Sequence, residues 1–152
     1  MSSEWCSDQD VYQLIMVDEQ QYALPVDNII RIAALENVLP LPETPAWLPG
    51  VVHIRNAIVP VINLNQLLNV SPKTRQNPYP LVVLLQHSLN VNRWLALCVN
   101  EFTELLHKED AAEMATTSPD HPCFKAVVNH LMQKIYLPDI DALFEQLTKG
   151  PD

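Results

Sequence analysis

The sequence predicts a mostly β fold of two small barrels with a short C-terminal helix, and three observations carry that prediction. The 152-residue chain is cut into short runs rich in β-branched residues, many with apolar side chains at every second position. The breaks between runs hold Asn, Asp and Pro, because the chain has only 2 Gly against 13 Pro and must turn without glycine. The chain also reads as two similar halves, each closing on an apolar strand followed by a short helix. Val59-Pro60-Val61-Ile62-Asn63-Leu64 and Ile135-Tyr136-Leu137-Pro138-Asp139-Ile140 share that logic. The length suits one compact domain, or two very small subdomains sharing a core.

Residues 1 to 9 are polar and expected to form a flexible N-terminus. Val11 to Val17 is the first strand, Asp18-Glu19-Gln20 its turn, and Gln21 to Val26 the returning strand. Pro25 should push part of that strand to an edge or a bulge, since proline donates no ladder hydrogen bond. Ile29 to Ala34 is a third strand. Pro40, Pro42 and Pro45 then force an extended connection. Leu64 to Leu68 has room for one helical turn. Asn69 to Pro80 is a loop and the best internal boundary. Leu81 to Gln86 and Arg93 to Val99 are continuous apolar runs of the buried-strand type. Glu101 to His107 fits either a strand or a helix start. Lys108 to Ser118 has no convincing period. Phe124 to Val128 and Lys134 to Leu137 make a last hairpin, and Pro138 to Leu147 the terminal helix, with Ile140, Leu143, Phe144 and Leu147 at helical spacing.

The centre of the pattern is Thr44 to Leu64. Gly50, which tolerates positive φ, leads into two apolar arms, Val51 to Ile54 and Ala57 to Ile62, with Arg55-Asn56 between them. Two such arms joined by two residues, one of them Asn, predict a tight hairpin with Arg55 at its tip. A guanidinium there is either an ordinary solvated loop residue or a contact for a partner's carboxylate.

Composition excludes several classes of function. A net charge of −9, with nine Lys and Arg scattered singly, cannot build a basic face for nucleic acid. The longest apolar runs fall far short of the roughly 20 residues that span a bilayer, so no membrane insertion is expected. No signal peptide is evident, and three distant cysteines make no disulfide framework, so a cytoplasmic protein is expected. The five His do not pair at ligand spacing, which leaves no metal site. Two distant glycines cannot form a phosphate loop. Ser71 and Ser118 sit in no nucleophile motif. Asp139 and Asp141 suit a helix start better than acid–base work. Neither an enzyme nor a cofactor is expected.

The run Gly50-Val51-x-x-Ile54-Arg55-x-x-Ile58-Val59-Pro60-Val61-Ile62-x-Leu64 resembles the signature of the CheW-like domains, the adaptors of bacterial chemosensory arrays. The resemblance extends over Tyr12 to Ile32, Leu81 to Leu106 and Phe124 to Leu147, and so to a single domain over residues 10–150. It implies two SH3-like five-stranded β-barrels around a shared hydrophobic core. One subdomain would span about 20–80. The other would span about 81–137, with the N-terminal strand and C-terminal helix added. It also implies a non-catalytic adaptor between the cytoplasmic tip of methyl-accepting chemoreceptors and the regulatory domain of a CheA-type histidine kinase.

By that resemblance Arg55 is the best partner contact. Ile29, Leu81 and Val82 match positions near the groove between the barrels, with core packing the rival role for each. Three positions depart from the family pattern. His53 stands where Asn is usual, Asn56 where Gly is usual, and Asn63 where Asp is usual. Arg31 lies where the family often carries an acidic residue, which would repel the ordinary partner charge and invite an acidic one. These departures imply a divergent adaptor, of a system governing type IV pili or twitching. The rival reading is a sensory module binding a small ligand between its barrels, with Trp47 or Trp94 in the pocket wall.

Overall fold

A computed structural model of the protein describes residues 11–35, 38–68, 80–90, 92–107, 115–117, 122–130 and 133–149. The strands are β1 (Val11–Val17), β2 (Gln20–Pro25), β3 (Ile29–Ala34), β4 (Gly50–Ile54), β5 (Ala57–Ile62), β6 (Leu81–Gln86), β7 (Trp94–Val99), β8 (Glu101–His107), β9 (Ala115–Thr117), β10 (Phe124–His130) and β11 (Gln133–Pro138). Two α-helices join them, α1 (Leu64–Leu67) and α2 (Ile140–Lys149), with a 3-10 turn at Val26–Asn28. The ambiguous run at Glu101 to His107 is therefore a strand. The expected flexible N-terminus, and most of the stretches 69–80 and 108–118, lie outside the described residues.

One sheet has the order β8-β1-β2-β11-β10-β9 and the other the order β3-β6-β7-β5-β4. Both follow one plan. A hairpin (β4–β5, or β10–β11) lays its second strand parallel to a strand of another hairpin (β7, or β2), which continues antiparallel through β6 to β3, or through β1 to β8. The similarity of the two halves thus lies in the pairing as well as in the sequence. A short helix follows the second hairpin strand each time, and each is capped by the residue before it. The Asn63 side chain accepts from Gln66 N–H at 3.1 Å, and Asp139 accepts from Ala142 N–H at 3.2 Å.

Three expectations need correction. The sheets do not divide the chain near residue 80. β6 and β7 pair with β3 and β5, so residues 29–99 build the five-stranded sheet, and the chain on either side builds the other. The loop expected over Asn69 to Pro80 looked like a boundary, but it joins strands of one sheet. Nor are the barrels closed: among the described residues β3 does not pair with β4, nor β8 with β9, and the SH3-like description fits only roughly. The first sheet has six strands rather than five because the three-residue β9 adds an edge. Pro25, as expected, sits in a part of β2 that is an edge: among the described residues β11 pairs with β2 only at Gln21 and Tyr22, and Pro25 pairs only with Tyr12 of β1.

The apolar side chains form one large cluster fed by both sheets, which is the shared core. Ile15, Tyr22 and Leu24 of the six-stranded sheet meet Val59, Val83 and Leu97 of the other, with Leu143 and Phe144 of α2. β6 and β7 are buried on both faces, which explains their unbroken apolar sequence. Cys98 is buried in this layer, as its place in an apolar run predicts. A second cluster, including Tyr12, Leu14, Val128 and Ile135, fills the inside of the six-stranded sheet. Strand β1 serves both clusters because its side chains alternate between the two faces of the sheet, Tyr12 and Leu14 entering the second cluster and Ile15 and Val17 the large one.

Two polar junctions tie the sheets together. Asn65 on α1 is 1% exposed. Its side chain accepts from the Tyr22 hydroxyl at 2.6 Å and donates to the Val17 carbonyl at 2.7 Å and to Asp18 Oδ2 at 3.1 Å. Near the other end of the fold, Asp141 of α2 accepts from Ser88 N–H at 3.2 Å and lies 3.7 Å from His87 Nε2. The Arg93 guanidinium stands 5.1 Å above the Phe144 ring.

Candidate functional site

The hairpin β4–β5 pairs Ile54 with Ala57, leaving Arg55 and Asn56 as its two-residue turn. Both have left-handed backbone, φ 51° and φ 65°, as a type I′ turn requires at its two central positions. Asn takes that conformation readily, whereas Arg does so at a cost. Alternation along the arms sends Val52, Val59 and Val61 inward and leaves His53 and Ile58 paired on the outer face. Ile58 is 72% exposed, a functional candidate that sequence reasoning passed over. Its parity against Val59 and Val61 was the available signal. Gly50 starts the hairpin where a Cβ would lie 2.3 Å from the Leu39 carbonyl oxygen. Leu39 exchanges backbone hydrogen bonds with Val51 at 2.8 and 3.0 Å, so only glycine fits.

Arg31 comes from the opposite edge of the same sheet. The pairing of β3 with β6 slips by one residue between Ile29 and Arg31, a bulge that changes which side chains face outward. The sheet curls until its two unpaired edges, β3 and β4, flank an open cavity of about 270 Å³. Arg31, His53 and Arg55 line it, with Ala33 and Ile54 on the walls and Val82 among its apolar lining. None of the three cationic or imidazole side chains has an ion pair or side-chain hydrogen bond among the described residues.

The seven expected partner residues thus separate into two groups. Arg31, His53, Arg55 and Asn56 are all exposed, and the first three share the cavity. Val82 is 1% exposed and belongs to the large cluster as well as to the cavity lining, while Ile29 and Leu81 are half-buried and pack against that cluster. Their β-strands are covered on the faces that carry them. Trp47 and Trp94 also pack against the core, and neither lines the cavity. Among the described residues no group of three or more His, Cys, Asp or Glu gathers as a metal site, and no helix is long and apolar enough to cross a membrane.

Comparison with known proteins agrees with this architecture. The chemotaxis protein CheW of Thermotoga maritima is 36% identical over 55 residues, which cover 36% of this chain and 36% of that protein. The chemotaxis protein CheW of Treponema pallidum is 26% identical over 68 residues, covering 43% of this chain and 40% of that one. The matched stretches therefore span well under half the length of these curated relatives. The crystal structure of the scaffolding protein TtCheW from Thermoanaerobacter tengcongensis superposes with a TM-score of 0.71 at 18% identity, over 90% of this chain and 93% of that one, a likeness of fold. With the family model for the CheW-like domain matching residues 12–148, the chain belongs to the CheW-like domain family.

Proposed function

We propose that this protein is a non-catalytic cytoplasmic adaptor of bacterial chemosensory signalling. It couples the cytoplasmic tip of methyl-accepting chemoreceptors to the regulatory domain of a CheA-type histidine kinase, without a cofactor. The observation that carries this reading is Arg55. A long cationic side chain occupies a left-handed turn position that Asn or Gly would fill with less strain, and it is exposed without an ion pair among the described residues. Strain kept at an exposed tip suits a side chain retained for contact. Arg31, on the same cavity, favours an acidic partner surface and sets this adaptor apart from members with a carboxylate there. That charge difference suits a pathway with its own kinase and receptor, such as one controlling type IV pili.

The test is calorimetry of the full chain against the regulatory domain of each CheA-type kinase in its organism, with Arg55→Ala alongside. Binding that weakens in the variant supports the adaptor reading with the hairpin as interface. Binding to none of the kinases overturns it.

A further inference from the structure

The five-stranded sheet ends in two strands whose outer edges face one opening. β3 pairs only with β6, and β4 only with β5 and, through Val51, with Leu39, among the described residues. Backbone beyond Val51 on β4, and all of the outer edge of β3, therefore has no strand beside it among the described residues. An unpaired edge accepts an added strand, and here two edges line one cavity. Proteins usually blunt such edges with charge. This edge pair carries Arg31 and Arg55 in a chain of net charge −9, and among the described residues the cavity lining holds no Asp or Glu. Of the five Lys and Arg whose side chains are described (Arg31, Arg55, Arg93, Lys125 and Lys134), two meet at this opening. At about 270 Å³ the cavity is below the usual range for drug-sized ligands and fits a side chain or two.

We propose that the open seam between β3 and β4 is a carboxylate-recognition site for an extended acidic segment of a partner protein. The segment lies along the strand edges, and one of its Asp or Glu side chains enters the cavity between Arg31 and Arg55. Strand alternation then directs every second residue toward the seam and the intervening ones outward. Exposed Ile32 on β3 gives such a segment an apolar neighbour. The proposal rests on the adaptor reading only in that both give these arginines a protein partner.

The probe is an end-blocked hexapeptide alternating Glu and Val, titrated into the full chain and followed by amide chemical shifts. Its Gln/Val counterpart, succinate and inorganic phosphate are run in parallel. The Glu peptide should move the amides of residues 31–35 and 52–55, and bind at least about tenfold more tightly than the Gln peptide at low salt. The variant Arg31→Gln/Arg55→Asn keeps a turn-compatible residue at 55 and should lose about tenfold in affinity, with amide shifts elsewhere unchanged. Equal binding of the two peptides, indifference to the double variant, or shifts mapped to another face would overturn the proposal. Succinate or phosphate moving the seam amides while the Glu peptide does not would also overturn it, leaving a small-anion site instead. The kinase titration is read separately. A chain that binds the peptide at the seam but no kinase domain keeps the seam and loses the adaptor reading, and the converse result does the reverse.

Discussion

Replacing Asn65 with alanine should loosen the junction between the two sheets. The side chain is 1% exposed and joins the α1 turn, which follows β5 of the five-stranded sheet, to the β1–β2 hairpin of the other sheet. Truncation removes the acceptor of the Tyr22 hydroxyl at 2.6 Å and the donor to the Val17 carbonyl at 2.7 Å. It also removes the donor to the Asp18 carboxylate at 3.1 Å. Each such bond contributes about 1 kcal/mol net, and the cost rises where a buried partner is left behind. Alanine's better helix propensity returns a few tenths of a kcal/mol. The balance is a loss of about 3 kcal/mol, a large fraction of a typical domain's 5–15 kcal/mol. For a chain of this size that lowers Tm by roughly 6–12 °C. The assay is urea unfolding followed by circular dichroism, with Tyr22→Phe and the double variant completing a cycle. Tyr22→Phe should cost about 1–2 kcal/mol, and the double variant should fall short of additivity by about 1 kcal/mol. An Asn65→Ala cost below about 1 kcal/mol, or a cycle that closes additively, would refute the assignment of this cluster as the inter-sheet junction.

Gly50→Ala should destabilise the fold by at least about 2 kcal/mol, because its Cβ would lie 2.3 Å from the Leu39 carbonyl oxygen and Leu39 is fixed by two backbone hydrogen bonds exchanged with Val51; thermal unfolding checks it. Arg55→Asn should raise stability by about 0.5–1 kcal/mol by relieving left-handed strain while weakening kinase-domain binding, so equilibrium unfolding and calorimetry should move in opposite senses. Asn63→Ala and Asp139→Ala should each cost about 1 kcal/mol, as equivalent helix caps in the two halves, measured by denaturant titration. A thermal-shift screen of metabolites should produce no jump of several degrees, and any such jump would favour the sensory reading.

The local elements were legible wherever side-chain parity alone decides them. The β4–β5 hairpin follows from two apolar arms and a two-residue link, and the terminal helix from Ile140, Leu143, Phe144 and Leu147. Long-range pairing was not legible. Nothing in the local apolar pattern of Val59, Val61 and Ile62 tells β5 to lie parallel to β7, and the same holds for β11 beside β2, so the split near residue 80 was misplaced. Of the candidate site, the exposed tip of Arg55 could be read from the turn. Its proximity to Arg31 could not, since it depends on the curl of a whole sheet and on a one-residue bulge. Val82 lies in an unbroken run of apolar residues, the mark of a strand covered on both faces, which outweighs a surface role. Asn65 carries no sequence signal, because a buried amide in a short helix looks like any polar surface residue until its partners are placed.

The interleaving of the two sheets also sets an order of events during synthesis. Strands β3 to β7 are contiguous, so the five-stranded sheet has all its parts as soon as β7 has emerged. The β1–β2 hairpin is made earlier and must wait, since its neighbours are β8 and β11; Gln20 reaches the Lys134 carbonyl across 114 residues of chain. At about 5–20 residues per second the wait is roughly 6–23 s. Throughout it, Tyr12 and Leu14 lack Val128, Ile135 and Leu137, the late-made side chains that complete their cluster. A nascent chain of this protein therefore carries a hairpin with one apolar face uncovered until β10 and β11 are made.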